Sequence, residues 1–272
     1  MNTRPYKIGI DLGGTKIEAI VLDSNNRELW RKRIPTEQGK GYHSILTKIK
    51  SLYEEAVLSI NHCIHTLGMG IPGTISKETN RVKNANTTCL IDQYLKEDLV
   101  DFLKHDIGIH NDANCFTLAE ATMGAGVGEN FVFGVIMGTG CGGGIYIDGK
   151  IHVGSQGIAG EWGHMQINPD GPLCYCGRRG CVETYISGGG VEKMYAESFG
   201  ESKTMEEITV GYRQGDPDCK KIFEKFLENY GLALANLINI LDPDLVVLGG
   251  GLSNIEELYT KGREEVEKNI FS

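Results

Sequence analysis

The sequence has little proline, no long apolar run and no concentrated positive charge. It contains only 7 Pro, and no apolar run reaches the roughly 18 residues that a membrane-spanning helix needs. The first residues, from Met1 to Pro5, lack the pattern of a signal peptide. These absences predict a cytoplasmic protein with no membrane partner.

The charge balance argues against nucleic acid as a partner. The formal net charge is −9, and no block of Lys and Arg forms the basic face that a nucleic-acid-binding protein usually presents. An anionic substrate would therefore be held by local hydrogen-bond donors and a cation, rather than by a broad positive field.

Glycine, in contrast, is abundant and clustered. The chain has 37 Gly, and short glycine-rich runs lie between apolar segments at residues 13–14, 138–144, 188–190 and 249–251. Clustered glycines between apolar strands indicate places where the backbone comes close to a ligand.

Apolar periodicity predicts strands and helices in alternation, which two β-hairpins interrupt. Each hairpin encloses a glycine-containing loop, so the pattern predicts mixed sheets rather than all-parallel ones. The predicted strands are 6–10, 16–22, 67–71, 107–110, 131–137, 144–147 and 245–248. Helices are predicted over 45–60 and 95–103, from near residue 113, and after the capping pair Asp216-Pro217.

The repeated order of strand, glycine-rich turn, strand and helices predicts two related α/β lobes. We place them at residues 1–110 and 111–272. No Pro-rich or Ser-rich linker marks the boundary, so we expect two tightly packed lobes with a cleft between them.

Two glycine turns are candidate phosphate-binding sites. The residues Gly138, Gly140 and Gly143 fit G-x-G-x-x-G, but a strand follows them where a dinucleotide-binding fold requires a helix. No Walker P-loop is present either. The alternative is that both hairpin turns offer backbone N–H groups to a polyphosphate from two sides. Two ordinary tight turns remain the simpler interpretation of either hairpin alone.

The residues assigned to this phosphate site follow from the same argument. Asp11 is expected to hold Mg²⁺ through water, because Mg²⁺ keeps much of its hydration. The candidate nucleotide-binding residues are Gly13, Gly14, Thr15, Gly138, Thr139, Gly140, Gly249, Gly250 and Gly251, together with Asp11.

A His/Cys cluster is a candidate metal site. His164, Cys174, Cys176 and Cys181 follow the spacing H-x9-C-x-C-x4-C. One imidazole and three thiolates complete a tetrahedral Zn²⁺ site with no open position, so the zinc would be structural. The alternative is three reduced thiols near a chance His, and a disulfide is disfavoured because a C-x-C bridge is strained.

These motifs together resemble the ROK family (repressors, open reading frames and kinases). The matching segments are IGIDLGGTK at 8–16, NDAN at 111–114, GTGCGGG at 138–144, GEWGH at 160–164, CYCGRRGCVE at 174–183 and DPDLVVLGGG at 242–251. The resemblance implies an α/β actin-like ATPase (ribonuclease H-like) fold, with ATP and a sugar bound in the cleft between the lobes. It also implies a homodimer.

The resemblance assigns roles to further residues. Phosphoryl transfer to a sugar hydroxyl needs a proton acceptor, and the family places this base at Asp112. Spacing alone leaves open that Asp112 merely caps the helix that follows it. The remaining residues that the family implies at the sugar are Thr74, Asn86, Asn111, Glu161, Glu183 and His164, the last through its free ring edge.

The identity of the sugar is the least determined feature. Lys83-Asn-Ala-Asn86 and the cysteine motif look most like the fructokinase (mannokinase) branch, with N-acetylglucosamine kinase next and glucokinase third. A sugar-responsive repressor of the same family is the non-enzyme alternative, but only a few residues precede the first strand where such repressors carry a helix-turn-helix. The family's final helix is expected to be missing from a chain that ends at Ser272.

Overall fold

The computed structural model describes residues 5–271. Met1–Arg4 and Ser272 lie outside the described residues, as do the expectations about the start and the end of the chain. The described residues form two compact units. The first extends to Cys115 and also includes Gly154–Ile158, and the second comprises Phe116–Val153 and the residues from Ala159 onward.

This division falls inside a helix, Asp112–Met123, whereas the sequence placed the boundary after residue 110. The start of the helix is associated with the first unit because it packs on a strand of that unit. A Cβ atom at Gly70 would lie 3.6 Å from Cα of Asp112.

The first unit is built on a five-stranded mixed sheet. Its order is β3-β2-β1-β4-β7, in which β1, β4 and β7 are parallel and β2 and β3 are antiparallel to their neighbours. The elements are β1 Tyr6–Leu12, β2 Lys16–Leu22, β3 Glu28–Pro35, α1 Tyr42–Ser59, β4 His65–Ile71, β5 Thr74–Ile75, β6 Val82–Lys83, α2 Leu95–Leu103, β7 Gly108–Asn111 and α3 Asp112–Met123, the last shared with the second unit.

The core of the first unit follows the predicted periodicities. Alternate residues of β1 and β2 point inward, and α1 contributes the stripe Ile45, Ile49, Leu52 and Ala56. Because β1, β4 and β7 run parallel, their carboxyl ends lie at one edge of the sheet. Asp11 is paired with Gly70 there, and Ile71 with Asn111.

The second unit has a smaller mixed sheet with most of the helices. Its order is β10-β9-β8-β11, with β8 antiparallel to β9 and parallel to β11. The elements are β8 Phe131–Met137, β9 Cys141–Ile147, β10 Lys150–Ile151, α4 Glu183–Ile186, α5 Gly188–Phe199, α6 Met205–Gln214, α7 Pro217–Leu241, β11 Leu245–Gly249 and α8 Lys261–Glu267.

The core of this second unit centres on α7. Its apolar face includes Ile222, Phe223, Phe226 and Leu234, which are buried with side chains of α4, α5, α6 and the sheet. The helices α4, α5 and α6 thus pack against one long helix.

Most predicted elements are confirmed, and the differences have physical reasons. The strand β3 was missed because its charged residues Arg31, Lys32 and Arg33 conceal any alternation, as is common at a sheet edge. The helices α5, α6 and α8 were also missed. The strand predicted at 144–147 begins already at Cys141, so the glycines at 142–144 belong to β9 and not to the turn.

Those strand glycines serve close packing of one backbone on another. A Cβ atom at Gly160 would lie 2.5 Å from the carbonyl oxygen of Gly143, and one at Gly163 would collide with that of Cys141. The indole Nε1–H of Trp162 also donates to Gly142 O at 2.9 Å. The segment around Trp162 is therefore pressed onto β9.

Across residues 5–271, no helix combines the length and the apolar character that crossing a bilayer requires.

The N-cap of α7 provides a test of the fold. Asp216 accepts hydrogen bonds from the backbone N–H groups of Asp218 at 3.0 Å and Cys219 at 2.9 Å, as the sequence predicted. Asp216→Ala leaves both donors without this acceptor and should lower the melting temperature by roughly 2–4 °C. Thermal unfolding followed by circular dichroism measures this. Asp216→Asn, which retains a capping oxygen, is the matched control, and an Ala variant that melts like the wild type would contradict the role.

Candidate functional site

Two carboxylates of the first unit lie beside the same glycine. Asp11 is the second-to-last residue of β1, next to the β1–β2 turn, and Asp112 is the first residue of α3. A Cβ atom at Gly70 of β4 would lie 3.5 Å from Asp11 Oδ1 and 3.6 Å from Cα of Asp112. The parallel pairing of β1, β4 and β7 thus brings together residues that are about a hundred positions apart in the sequence.

The surroundings raise the pKa of both carboxyl groups. For Asp112 the main cause is loss of hydration, which hydrogen bonds from Ala113 N–H and Asn111 partly oppose. For Asp11 the main cause is again loss of hydration, and the negative charge of Asp112 adds to it. Both residues keep considerable exposed surface, so water still reaches groups whose charged form is disfavoured. A carboxylate with a raised pKa is a better proton acceptor.

The alternative that Asp112 serves only as a helix cap is weakened by its neighbour. Asn111 Oδ1 accepts from Ala113 N at 3.0 Å and Asn114 N at 3.3 Å, which is the capping arrangement. Asp112 Oδ1 accepts from the backbone N–H of the very next residue, Ala113, at 2.8 Å. The amide oxygen of Asn111, a residue predicted to contact the sugar, is therefore already engaged by the start of the helix.

Three residues predicted to contact the sugar lie near Gly73. The amide Nδ2 of Asn111 donates to Gly73 O at 3.1 Å. A Cβ atom at Gly73 would collide with Lys83 O and lie 2.8 Å from Ala85 N. Thr74 directly follows Gly73, and Asn86 directly follows Ala85. The structure therefore brings Thr74, Asn86 and Asn111 into one neighbourhood of the first unit.

The turn between β1 and β2 has backbone N–H groups that its own closing hydrogen bond does not use. Gly13 N donates to Lys16 O at 2.9 Å and closes the turn. Within residues 5–271, the backbone N–H groups of Gly14 and Thr15 have no hydrogen-bond partner. Asn86 lies close by, since a Cβ atom at Gly14 would lie 4.0 Å from its Oδ1. A turn with unpaired N–H groups is suited to bind an anion.

The turn between β8 and β9 in the second unit is similar. Gly138 N donates to Gly140 O at 2.9 Å, while the N–H groups of Thr139 and Gly140 find no partner in the described part of the chain. The run 249–251 lies beside this turn, because β11 is parallel to β8 and a Cβ atom at Gly250 would collide with Met137 O. The predicted residues Gly138, Thr139, Gly140, Gly249, Gly250 and Gly251 thus occupy one edge of the sheet.

A third glycine run, at residues 188–190, lies at this edge, and its role was not predicted from the sequence. The backbone N–H of Gly188 donates to Gly138 O at 2.7 Å, and that of Gly189 approaches Thr139 O at 3.4 Å. Gly188 begins α5, so the start of a helix lies directly against the turn. The glycine run itself was the available signal, but without a predicted helix after it the sequence could not place it.

The four predicted metal ligands come together in the second unit. One donor atom from each of His164, Cys174, Cys176 and Cys181 lies within 4.8 Å of the others. The Sγ atoms of Cys176 and Cys181 are 3.6 Å apart, and Cys174 Sγ is 3.6 Å from His164 Nδ1. A tetrahedral Zn²⁺ with Zn–S bonds of 2.3 Å places its sulfur ligands about 3.8 Å apart. The donor set therefore fits zinc in number, chemistry and spacing.

One thiol of the cluster is prepared to lose its proton. Burial works against ionisation, but the backbone N–H of Arg178 and the thiols of Cys174 and Cys181 stabilise the thiolate and lower the pKa of Cys176 to about 7. The thiolate is the form that binds metal. Burial raises the pKa of Cys174 and Cys181, so Cys176 is the one thiol of this cluster that favours the thiolate without a metal.

The outer edge of His164 differs from the prediction. Its Nε2 atom is 2.9 Å from the hydroxyl oxygen of Tyr175, and the two rings meet edge to face at 5.1 Å. The ring edge expected to be free for a sugar is therefore hydrogen-bonded. Tyr175 is largely exposed, so a ligand hydroxyl could replace it at modest cost. Sequence reasoning missed Tyr175 because nothing marks the residue between two cysteines.

The two predicted glutamates occupy different positions on this loop. Glu161 directly precedes the short 3₁₀ turn Trp162–His164 that packs on β9. Glu183 begins α4, and its Oε2 accepts from the backbone N–H of Cys141 at 3.1 Å. Glu183 is therefore tied to the β8–β9 turn and is not a solvated surface charge.

Comparison with known proteins identifies relatives along nearly the whole chain. The model of the ROK family matches residues 7–272. An N-acetyl-D-glucosamine kinase from Yersinia pseudotuberculosis is 38% identical over 263 residues, which cover 92% of this chain and 85% of that protein.

Two solved structures share the fold. A ROK hexokinase from Thermus thermophilus matches with a TM-score of 0.86 at 30% identity, covering 97% of this chain and 88% of that one. A ROK glucokinase from Streptomyces griseus, in complex with glucose and AMPPNP, gives 0.80 at 30% identity, covering 98% and 90%. They confirm the predicted α/β fold of the actin-like ATPase type.

The raised pKa of Asp112 has a consequence for stability. A carboxyl whose pKa is higher in the folded than in the unfolded protein stabilises the fold while protonated, and this contribution is lost as the pH rises through the folded-state pKa. At pH 7 the wild type carries that cost, whereas Asp112→Asn does not. The variant should therefore have a higher free energy of unfolding in urea at pH 7, and the difference should shrink as the pH falls towards 5.

The matched control for this measurement is Asp101→Asn, because the Asp101 side chain on α2 is 89% exposed. It should leave the stability unchanged. A decrease in stability of Asp112→Asn at pH 7 would show that ionisation of Asp112 costs the fold nothing.

Proposed function

Since the chain belongs to the ROK family, we propose that it is a sugar kinase that transfers the γ-phosphoryl group of ATP to a hydroxyl group of a hexose, at the 6-position. The observation that carries the proposal is the environment of Asp112. It is a carboxylate with a raised pKa at the carboxyl end of a strand, next to the group formed by Thr74, Asn86 and Asn111.

The proposed roles follow from the chemistry of the reaction. The sugar hydroxyl oxygen attacks the γ-phosphorus, the bond to the bridging oxygen breaks and ADP leaves, while Asp112 accepts the hydroxyl proton. In this proposal Thr74, Asn86 and Asn111 orient the sugar, and Glu161, His164 and Glu183 contact it. With its amide oxygen engaged, Asn111 contributes an N–H.

The phosphates of ATP are assigned to the unpaired N–H groups. Gly14 and Thr15 in the first unit, and Thr139 and Gly140 in the second, offer donors that have no partner among the described residues. Mg²⁺ supplies charge neutralisation on the phosphates. Asp11 is the residue that would hold its water shell.

Structural Zn²⁺ is proposed to bind in the loop between β10 and α4 (the metal loop), through His164, Cys174, Cys176 and Cys181. Four protein ligands leave no open coordination position, so the metal supplies rigidity and not catalysis. Since His164 Nδ1 faces Cys174, its Nε2 edge is left to face the sugar, once Tyr175 has moved.

N-acetylglucosamine is proposed as the preferred sugar. The fructokinase or mannokinase preference drawn from the motifs is not supported by the relatives described above, of which the Yersinia protein is named an N-acetyl-D-glucosamine kinase. Glucose is the second candidate, because the Streptomyces structure at 30% identity is named a glucokinase and contains glucose. The homodimer, the cytoplasmic location and the absence of nucleic-acid or membrane partners stay predictions.

A coupled ADP-release assay tests the reaction and the sugar together. With N-acetylglucosamine, glucose, mannose, fructose and N-acetylmannosamine, we expect the highest kcat/KM for N-acetylglucosamine. Asp112→Ala should lower kcat by roughly 10²–10⁴-fold, because it removes the proton acceptor. Asp101→Ala is the control and should match the wild type.

Two results would count against this proposal. Near-normal turnover by Asp112→Ala would remove the base, and sugar binding without any ADP release by the wild type would favour the non-catalytic repressor. A higher kcat/KM for fructose or mannose would restore the sequence-based preference.

Zinc content is measured separately from activity. The purified wild type should contain about one Zn²⁺ per chain by inductively coupled plasma mass spectrometry, and Cys176→Ser should contain almost none, since three ligands hold structural zinc poorly. Its melting temperature should fall as well. Cys63→Ser, at an exposed thiol outside the cluster, is the control, and full zinc retention by Cys176→Ser would contradict the ligand set.

A further inference from the structure

Glu183 contacts both the metal loop and the glycine turn of the second unit. Its Oε2 accepts from Cys141 N at 3.1 Å, and its Oε1 is 3.9 Å from Cys174 Sγ. Cys181, another member of the metal cluster, is only two residues earlier and fully buried. One side chain therefore connects the cluster to the residue at which β9 leaves the turn.

The segment that begins with Glu183 also holds the other end of the turn. Gly188 N donates to Gly138 O at 2.7 Å, and Gly189 N approaches Thr139 O at 3.4 Å. Between these contacts, Ser187 Oγ donates to Glu183 O at 2.7 Å and accepts from Gly190 N at 3.0 Å. The residues from Glu183 to Gly190 thus form a supporting segment, which is hydrogen-bonded to the turn at Cys141 and at Gly138.

The turn needs such external support because it has little of its own. Its internal closure is the one hydrogen bond from Gly138 N to Gly140 O, at 2.9 Å. Thr139 and Gly140 are exposed, and glycine is the residue that loses most conformational freedom on ordering. Binding to a turn that is already ordered costs less free energy than binding to one that must first be fixed.

We infer that the metal loop sets the geometry of the Gly138–Gly140 turn through Glu183, so that nucleotide binding depends on Glu183 and on the metal ligands even when no sugar is present. This rests on the proposed function, in which the turn binds phosphate. Glu183 is then a positioning residue for the nucleotide, in addition to its proposed sugar contact.

Simple electrostatics predicts the opposite effect, which makes the inference testable. A Cβ atom at Gly140 would lie 2.9 Å from Glu183 Oε2, so the carboxylate is close to where a polyphosphate would bind. If Glu183 acted only through its charge, its removal would strengthen nucleotide binding. If it acts by holding Cys141 N–H, its removal weakens binding, and a neutral side chain that still accepts the hydrogen bond preserves it.

The experiment measures the binding of AMPPNP with Mg²⁺ by isothermal titration calorimetry in the absence of sugar. Glu183→Ala should raise Kd at least about fivefold, because a hydrogen bond to a charged group is lost from the support of the turn. Glu183→Gln, whose amide oxygen can accept from Cys141 N–H, should stay within about threefold of the wild type. An Ala variant that binds as tightly as the wild type, or more tightly, would overturn the inference.

The second arm removes the metal rather than the carboxylate. Cys176→Ser should raise the Kd of AMPPNP by a similar factor without sugar, whereas Cys63→Ser should not change it. Circular dichroism establishes that each variant is folded, and if Cys176→Ser does not fold, the Glu183 pair decides alone. Unchanged nucleotide binding by a folded, zinc-free Cys176→Ser would overturn the link to the metal.

Failure of this inference is distinguishable from failure of the proposed function. If the wild type does not bind AMPPNP, the assignment of the turn to phosphate falls, and the inference with it. If the wild type binds AMPPNP and releases ADP with a sugar, but Glu183→Ala binds the nucleotide normally, only the inference is lost.

Discussion

The approach of one backbone to another at distances that a Cβ atom would forbid is the constraint on which the candidate sites depend. In the first unit, Gly73 lies against Lys83 and Ala85, and this contact places Thr74 near Asn86. In the second unit, Gly160 and Gly163 lie against β9 and thereby position Glu161 and His164. Any larger residue at these points would separate the functional side chains, whatever their own identity.

The electrostatic design answers the problem that an anionic protein meets with an anionic substrate. With a formal net charge of −9, the chain has no broad field that could attract a polyphosphate. It offers instead local N–H groups in two glycine turns, and a pair of carboxylates whose pKa values are raised by reduced hydration, with the charge of Asp112 adding to the effect on Asp11. Short-range donors and a cation can hold an anion where the long-range field is unfavourable.

The loop that carries the His/Cys cluster has an irregular backbone. Between β10 and α4 the chain contains only a short 3₁₀ turn of regular structure, yet three of the proposed sugar contacts lie in or next to this stretch. The proposed zinc, held by four ligands, would replace the missing secondary structure. Membership of the ROK family explains why this loop, the two turns and Asp112 occur in one chain, whereas the preferred sugar depends on details that differ between its members.

The sequence by itself determined the elements that carry a strong local signal and the residue types that carry the chemistry. The hairpins, the helix capped by Asp216 and the clustering of His164 with three cysteines could all be predicted, because periodicity, capping and ligand spacing are local properties. The sequence could not predict that Asn111, rather than Asp112, caps α3, or that Tyr175 covers His164.

Only the tertiary structure decided which glycines lie in an open turn and which face another strand. The run at 138–144 appeared uniform, but its first residues form the turn and the later ones pack beneath Trp162. The role of the supporting segment from Glu183 to Gly190 could likewise not be predicted, although its glycine run stands out in the sequence. The physical reason is that these roles are set by contacts between segments distant along the chain, and such contacts leave no period or spacing in the sequence.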